Sequence, residues 1–328
     1  MRPAALLASL AALLAGTTLL LTVSGTALGP YPQLGSCQVF PDPPAGISPR
    51  APSLPDEAAW KQDISRAPLA GNSAATIAYI SAHGGDHLHP DFGSPREYGF
   101  PYSVVGAGQA RRPVHYTAYG SESDRAPFPI PKRAPVEGGN ASDGDRHVLV
   151  IDRAGCVLYE LYRAFFRAGR WHADSGAEWN LGSTAGRPDS WTSADAAGLP
   201  IFPGLVRREE VAGGSLQHAI RVTFESTRDA WVHPASHCAG DTADPSAPAM
   251  GTRLRLKAGY GLGGFSGDAR VIATALKRYG LIVADNGSNW FFSGSSDRGW
   301  KDENLNQLKR IPGRAFEVVR SAARPHVC

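Results

Sequence analysis

Residues 144–164 read GDRHVLVIDRAGCVLYELYRA, two short apolar runs joined by a tight connection. Pairing 147–152 with 157–162 across Arg153-Ala154-Gly155-Cys156 predicts an antiparallel hairpin. Asp152 then faces Val157, Val150 faces Tyr159 and Val148 faces Leu161. Because strand side chains alternate, these residues share one face, which is expected to be core. On the other face Leu149 meets Glu160 and His147 meets Tyr162, with Asp145 one step further along. A one-residue slip would send every side chain to the opposite face, so this grouping depends on register. Two readings stand for it: an exposed sheet face that tolerates polar residues, or the lining of a cleft.

Outward from the hairpin, further strands follow. HAIRVTFES (218–226) and TRLRLKAG (252–259) alternate with period two, and AFEVVR closes the chain's last strand. LIVAD and NWFFSG flank an Asn-Gly pair, which predicts another hairpin. Shorter strands are expected near 102–105 and 114–119. Apolar residues at 271, 272, 275, 276 and 279 have helical spacing, with Gly280 as the stop. ENLNQLKRI predicts a second short helix, and DEAAWKQDI, beginning at Asp56, a third. Otherwise the block 72–140 reads as loop. Few helices, many strands and 37 Gly with 26 Pro predict a mainly β protein. The expected form is an antiparallel β-sandwich or jelly roll with two or three short helices.

The N-terminus sets the compartment. Arg2 precedes an apolar run to about Val23, and Gly25-Thr26-Ala27 fits a small-x-small cleavage site, so 1–27 is expected to be a secretory signal peptide. An uncleaved anchor is the alternative. Residues 28–56 are rich in Pro and Gly and read as an extended arm, and 57–328 as a single β-rich domain. An exported chain meets an oxidising environment, so Cys37, Cys156, Cys238 and Cys328 are expected in two disulfides. Of the three possible pairings, Cys37–Cys328 with Cys156–Cys238 is favoured. No CxxC spacing points to zinc. Net charge is +3, with 33 Lys and Arg scattered against 30 Asp and Glu. That balance argues against a nucleic-acid surface. The mature chain is expected as a monomer off the membrane.

The candidate chemistry is glycan cleavage. Hydrolysis needs two carboxyls across the scissile bond, one with a raised pKa. Glu160 is the first candidate, with Asp145, Glu178, Asp195 and Glu209 as possible partners. Elimination would instead use His147 or Tyr162 as base, with Arg221 neutralising a uronate. His218 and Arg221 point to opposite sides of the 218–226 strand, so one or the other is expected to reach the same face. The long irregular segment 191–210 carries Asp195. Trp171, Trp191 and Trp231, in loop-like contexts, are candidate platforms for sugar rings; ordinary core packing is their other reading. HGGDHLHPD (83–91) aligns His87, His89 and Asp91. A substrate-contacting or structural loop is favoured there over a metal site, and no cofactor is expected. Without a carboxyl pair the same aromatics would make a non-catalytic glycan- or cell-wall-binding protein.

The blocks GDRHVLVID…CVLYELY, SADAAGLPIFPGLVR, HAIRVTF and ALKRYGLIVADNGSNWFFSG, taken in this order, resemble those of a family of secreted bacterial proteins common in actinobacteria. The resemblance spans most of 85–320. It implies a single secreted domain and carries over no catalytic residue.

Overall fold

The computed structural model describes residues 31–43, 59–93, 98–321 and 323–328. The signal-peptide segment, most of the Pro/Gly-rich segment and the start of the DEAAWKQDI helix lie outside them. The chain is mainly β, as its alternation predicts, with short helices around four sheets.

The opening hairpin forms in the predicted register. Val148–Asp152 pairs antiparallel with Val157–Tyr162, with Leu149 opposite Glu160 and Val150 opposite Tyr159. Its turn is fixed locally: Asp152 Oδ1 accepts the Ala154 N–H at 3.0 Å, and Cys156 takes a positive φ of 52°. Tyr102–Val105 and Ser175–Asn180 complete a four-stranded sheet. Both its faces are buried. Val148, Val150, Tyr159 and Leu161 pack with Trp171 beneath a three-stranded sheet made of Val114–Tyr116, Arg170–Ala173 and Phe165–Arg167. Leu149, Ile151 and Leu158 pack against Ile201, Phe202 and Leu205. The second face is therefore core as well, and its polar residues must find partners inside the protein.

The largest sheet has six strands and mixed directions. Ile220–Phe224 lies at its heart, parallel to Leu281–Asn286 on one side and antiparallel to Phe291–Ser293 on the other. LIVAD and NWFFSG thus do not pair as a hairpin; the 220–224 strand is inserted between them. The Asn-Gly connection is tied across that strand's end, where the Thr223 hydroxyl donates to the Ser288 carbonyl at 2.9 Å. Arg253–Leu256 and Phe316–Val318 extend the sheet. The Gly267–Arg278 helix buries Ala269, Ile272, Ala273 and Leu276 into the same core, as its spacing predicts. Gly280 follows it at φ 73°, where an added Cβ would meet the Leu254 carbonyl oxygen at 2.0 Å.

Two further expectations change. Residues 59–61 form a turn, and the N-terminal helix is instead Ser73–Ala82, in the stretch read as loop. Its small residues give little amphipathic contrast, so periodicity does not announce it. The disulfides are Cys37–Cys156 and Cys238–Cys328, in place of the favoured pairing. The first pins the segment around the buried Tyr31, Leu34 and Phe40 to the hairpin turn. The second ties the chain's end to the segment following Trp231. Among the described residues no helix is long and apolar enough to cross a membrane.

Candidate functional site

A cleft of about 320 Å³ opens where the four-stranded sheet, the large sheet and the 191–210 segment meet. Asp145 enters from the residues before the hairpin, Tyr162 from its end, and Asp195 from the irregular segment. Asp285 comes from the end of Leu281–Asn286, and Tyr119 and His237 from flanking loops. Asp285 reaches the cleft through a register shift: Val283 pairs with Val222, yet Asp285 pairs with Thr223, leaving Ala284 as an extra residue. Such a bulge re-aims the side chain that follows it.

The same bulge anchors the Asp195 loop, because the Ala284 carbonyl accepts the Ala197 N–H at 3.0 Å. Within the loop, Ser193 Oγ accepts the Asp195 N–H at 2.9 Å and donates to the Leu199 carbonyl at 2.6 Å. Gly198, at φ 71°, lets the loop close; a Cβ there would stand 2.1 Å from Ser236 Oγ and 2.5 Å from the Trp191 carbonyl oxygen. Gly198→Ala is therefore expected to cost about 3 kcal/mol, combining backbone strain with overpacking. Urea denaturation measures it, and a change under about 0.5 kcal/mol would show that the loop absorbs the methyl freely.

Charge is organised around Arg221, which is buried. Its Nη2 donates to Asp195 Oδ1 at 2.6 Å and its Nε to Oδ2 at 3.4 Å, a two-pronged grip. Its Nη1 donates to Ser293 Oγ at 2.7 Å. Asp285 Oδ2 lies 3.7 Å from the same Nη2, so one guanidinium stands between two carboxyls. Burial lifts Asp195, and the Arg221 ion pair pulls against it. Asp285 has no such grip. Burial, then the neighbouring Asp195 charge, push it up to about 7. The Asp285 side chain keeps 27% of its surface exposed, while Asp195 keeps none. The result is one buried carboxyl, raised by burial and gripped by Arg221, beside one reachable carboxyl that titrates near neutrality.

Behind Asp195 lies His147. Its Nδ1 is 2.5 Å from Glu137 Oε2 and its Nε2 is 2.9 Å from the Ala194 carbonyl oxygen. Both partners are acceptors, so both ring nitrogens carry protons. Burial opposes that charge, but the Glu137 carboxylate overrides it and holds His147 at about 9. His147 is thus a fixed cation that grips the loop beside Asp195. Its ring stacks obliquely on Tyr162 at 5.5 Å, as the hairpin register implies.

Of the residues singled out in the sequence, Asp145, Tyr162 and Asp195 line the cleft. His147 and Arg221 are buried behind it, His147 against Glu137 and the Ala194 carbonyl and Arg221 against Asp195 and Ser293. Glu160 is placed elsewhere. It is fully buried and accepts the Ile201 N–H, the Phe202 N–H and the Trp179 indole N–H at 2.9–3.1 Å. Burial raises its pKa to about 7, but its role is to bridge the hairpin to the 201–205 segment. This takes Glu160 out of the candidate catalytic group. His218 belongs to another buried knot, with Arg207 at 2.8 Å and Glu210 at 3.2 Å. Trp171 and Trp231 are core, the latter stacked on His326 at 4.1 Å, so neither offers a face to a sugar. Trp191 is half-buried beside Arg187, just before the cleft-lining Thr192. His89, stacked on Phe291 at 4.0 Å, and Asp91 line a separate groove. His87 turns away to Asp86, and the three do not gather as metal ligands. The one grouping with metal-like spacing among the described residues, Asp229 with Cys238 and Cys328, has its sulfurs bound in a disulfide.

Sequence reasoning missed Asp285 and Glu137. LIVAD reads as a buried strand, and only the bulge turns its aspartate outward. Glu137 lies in a Pro/Gly-rich loop with no periodicity to orient it. Compared with known proteins, the chain matches no family model, no curated protein and no solved structure.

Proposed function

We propose that the protein is an exported glycan hydrolase whose reaction centre is the Asp195–Arg221–Asp285 group. The observation that carries this reading is the division of labour between two carboxyls flanking one arginine. A glycosidic bond breaks when its leaving oxygen is protonated while positive charge develops on the sugar. Asp285, raised to about 7 and reachable from the cleft, supplies the proton. Asp195 has no exposed side-chain surface and acts from behind, its charge helping to raise Asp285, while a water adds to the sugar carbon as the leaving oxygen takes the Asp285 proton and then restores that proton. Tyr119 and Tyr162 offer rings and hydroxyls to a sugar, and His237 adds a polar edge. Export is supported by the signal-like residues 1–27 and by the two disulfides. The resemblance to secreted actinobacterial proteins points the same way.

Elimination from a uronate fits less well. It needs a free cation for the substrate carboxylate, and Arg221 is spent on Asp195 and Ser293. The test is residues 28–328 against neutral and uronic-acid polysaccharides, following new reducing ends and the ultraviolet absorbance of unsaturated products. Reducing ends alone are the expected result. Both signals would replace hydrolysis with elimination. Neither signal, with binding retained, would make the protein a glycan binder.

A further inference from the structure

Short connections tie the cleft lining to the small three-stranded sheet: Val114–Tyr116 leads to Tyr119, Arg170–Ala173 leads to Ser175, and Tyr162 leads to Phe165–Arg167. One face of this sheet is core, where Val114, Trp171 and Phe166 align. The outer face carries His115, His172 and Phe165 in a cross-strand row, with Arg170 opposite Arg167 in the next. The His115 and His172 rings meet at 5.1 Å. The guanidiniums of Arg146 and Arg167 lie over the Phe165 ring, 4.1 and 4.3 Å from its centre.

This face concentrates positive charge without neutralising it. Arg167 and Arg170 are exposed and sit directly opposite each other, an arrangement that costs stability by itself. Among the described residues neither has a carboxylate partner; the nearby Asp174 pairs with Arg163 at 3.4 Å. Arg146 is buried and committed to backbone carbonyls, so it adds field rather than a free donor. The cleft wall instead presents carboxyls, Asp145 and the reachable Asp285, with Asp195 buried against Arg221 behind them.

We infer that the outer face of the small sheet is an anchoring subsite for an acidic polysaccharide that continues into the cleft. This rests on the glycan reading of the cleft and names the substrate class. The acidic cleft admits an uncharged sugar and repels a uronate. Arg167 and Arg170 pair with the carboxylate of a unit further along the same polymer, with Phe165 holding the Arg167 guanidinium in place. A heteroglycan alternating acidic and neutral sugars satisfies both surfaces, as neither a neutral polymer nor a uniform uronate does.

The experiment measures binding of residues 28–328 to hyaluronan, which alternates a uronate with an uncharged amino sugar, with dextran as the neutral control. The parent is expected to bind hyaluronan in a salt-sensitive manner and to ignore dextran. Arg167→Glu with Arg170→Glu is expected to weaken binding about tenfold or more. The same charge reversal at Arg298 and Lys301, exposed beside the large sheet, is expected to leave it unchanged. Equal losses in both double variants, no loss in the first, or equally tight binding to single-stranded DNA would each overturn the subsite. Asp285→Asn keeps the two questions apart: it is expected to retain hyaluronan binding whether or not the parent turns over any glycan. Loss of the subsite alone leaves the hydrolase reading standing, and loss of turnover alone leaves the subsite.

Discussion

Asp285→Asn is expected to lower glycan turnover by about 10²–10⁴-fold, the usual worth of a positioned general acid. Asparagine keeps the shape and can still accept the Asn286 N–H that Asp285 Oδ1 accepts at 2.8 Å. What it lacks is the transferable proton. Folding is expected to survive, since the side chain is partly exposed and is not gripped by Arg221 as Asp195 is. Reducing-end release measures the loss, with near-ultraviolet circular dichroism as the check on structure. The parent should also show a matching pH profile. The acid works only when protonated, so turnover falls as pH rises through about 7. A variant with more than about a tenth of parental activity would remove Asp285 from the acid role.

Replacing Glu160 is expected to damage the fold rather than the chemistry. In Glu160→Ala, the Ile201 and Phe202 amides and the Trp179 indole lose their acceptor together, inside the core. Unsatisfied buried donors cost about 1–3 kcal/mol each, and the lost volume adds a cavity. The non-additive total is about 4 kcal/mol, a large share of a typical domain's stability. Glu160→Gln is milder: its carbonyl oxygen still serves the two amides, while its NH₂ meets the indole N–H donor to donor.

The pH dependence gives that assignment a second check. Glu160 is raised from 4.5 to about 7 in the folded protein, so the folded state holds its proton more tightly than the unfolded one. Stability from this group is full below pH 4.5 and declines as pH rises through about 7. Glutamine does not titrate, so the cost of Glu160→Gln shrinks across that window. Urea titrations at several pH values measure it. A pH-independent cost would remove the raised pKa, and a stable variant that has lost turnover would return Glu160 to the list of catalytic groups.

The hairpin at 148–162 was legible in the sequence because alternation and a short connection leave one register that buries both apolar rows. The helix at 267–278 was legible because its apolar residues recur at 3.6. Sequence also brought Asp145, His147, Tyr162 and Arg221 toward one place, since register orders neighbours along and across strands. It erred on Glu160, whose neighbours on the next layer, Ile201 and Phe202, lie about forty residues away and turn a candidate acid into a structural bridge.

What the sequence determined by itself was therefore local: strand periodicity, the hairpin's pairing, the helix at 267–278 and the mainly β class. Tertiary structure decided the rest. It placed 220–224 between two strands that read as a hairpin, paired Cys37 with Cys156, and used a bulge to turn Asp285 into the cleft. The physical reason is range. Periodicity and turn chemistry act over a few residues, whereas a carboxyl's pKa and reach depend on which distant charges and layers surround it. Arg221 meets Asp195 and Asp285 only after three separate segments have packed.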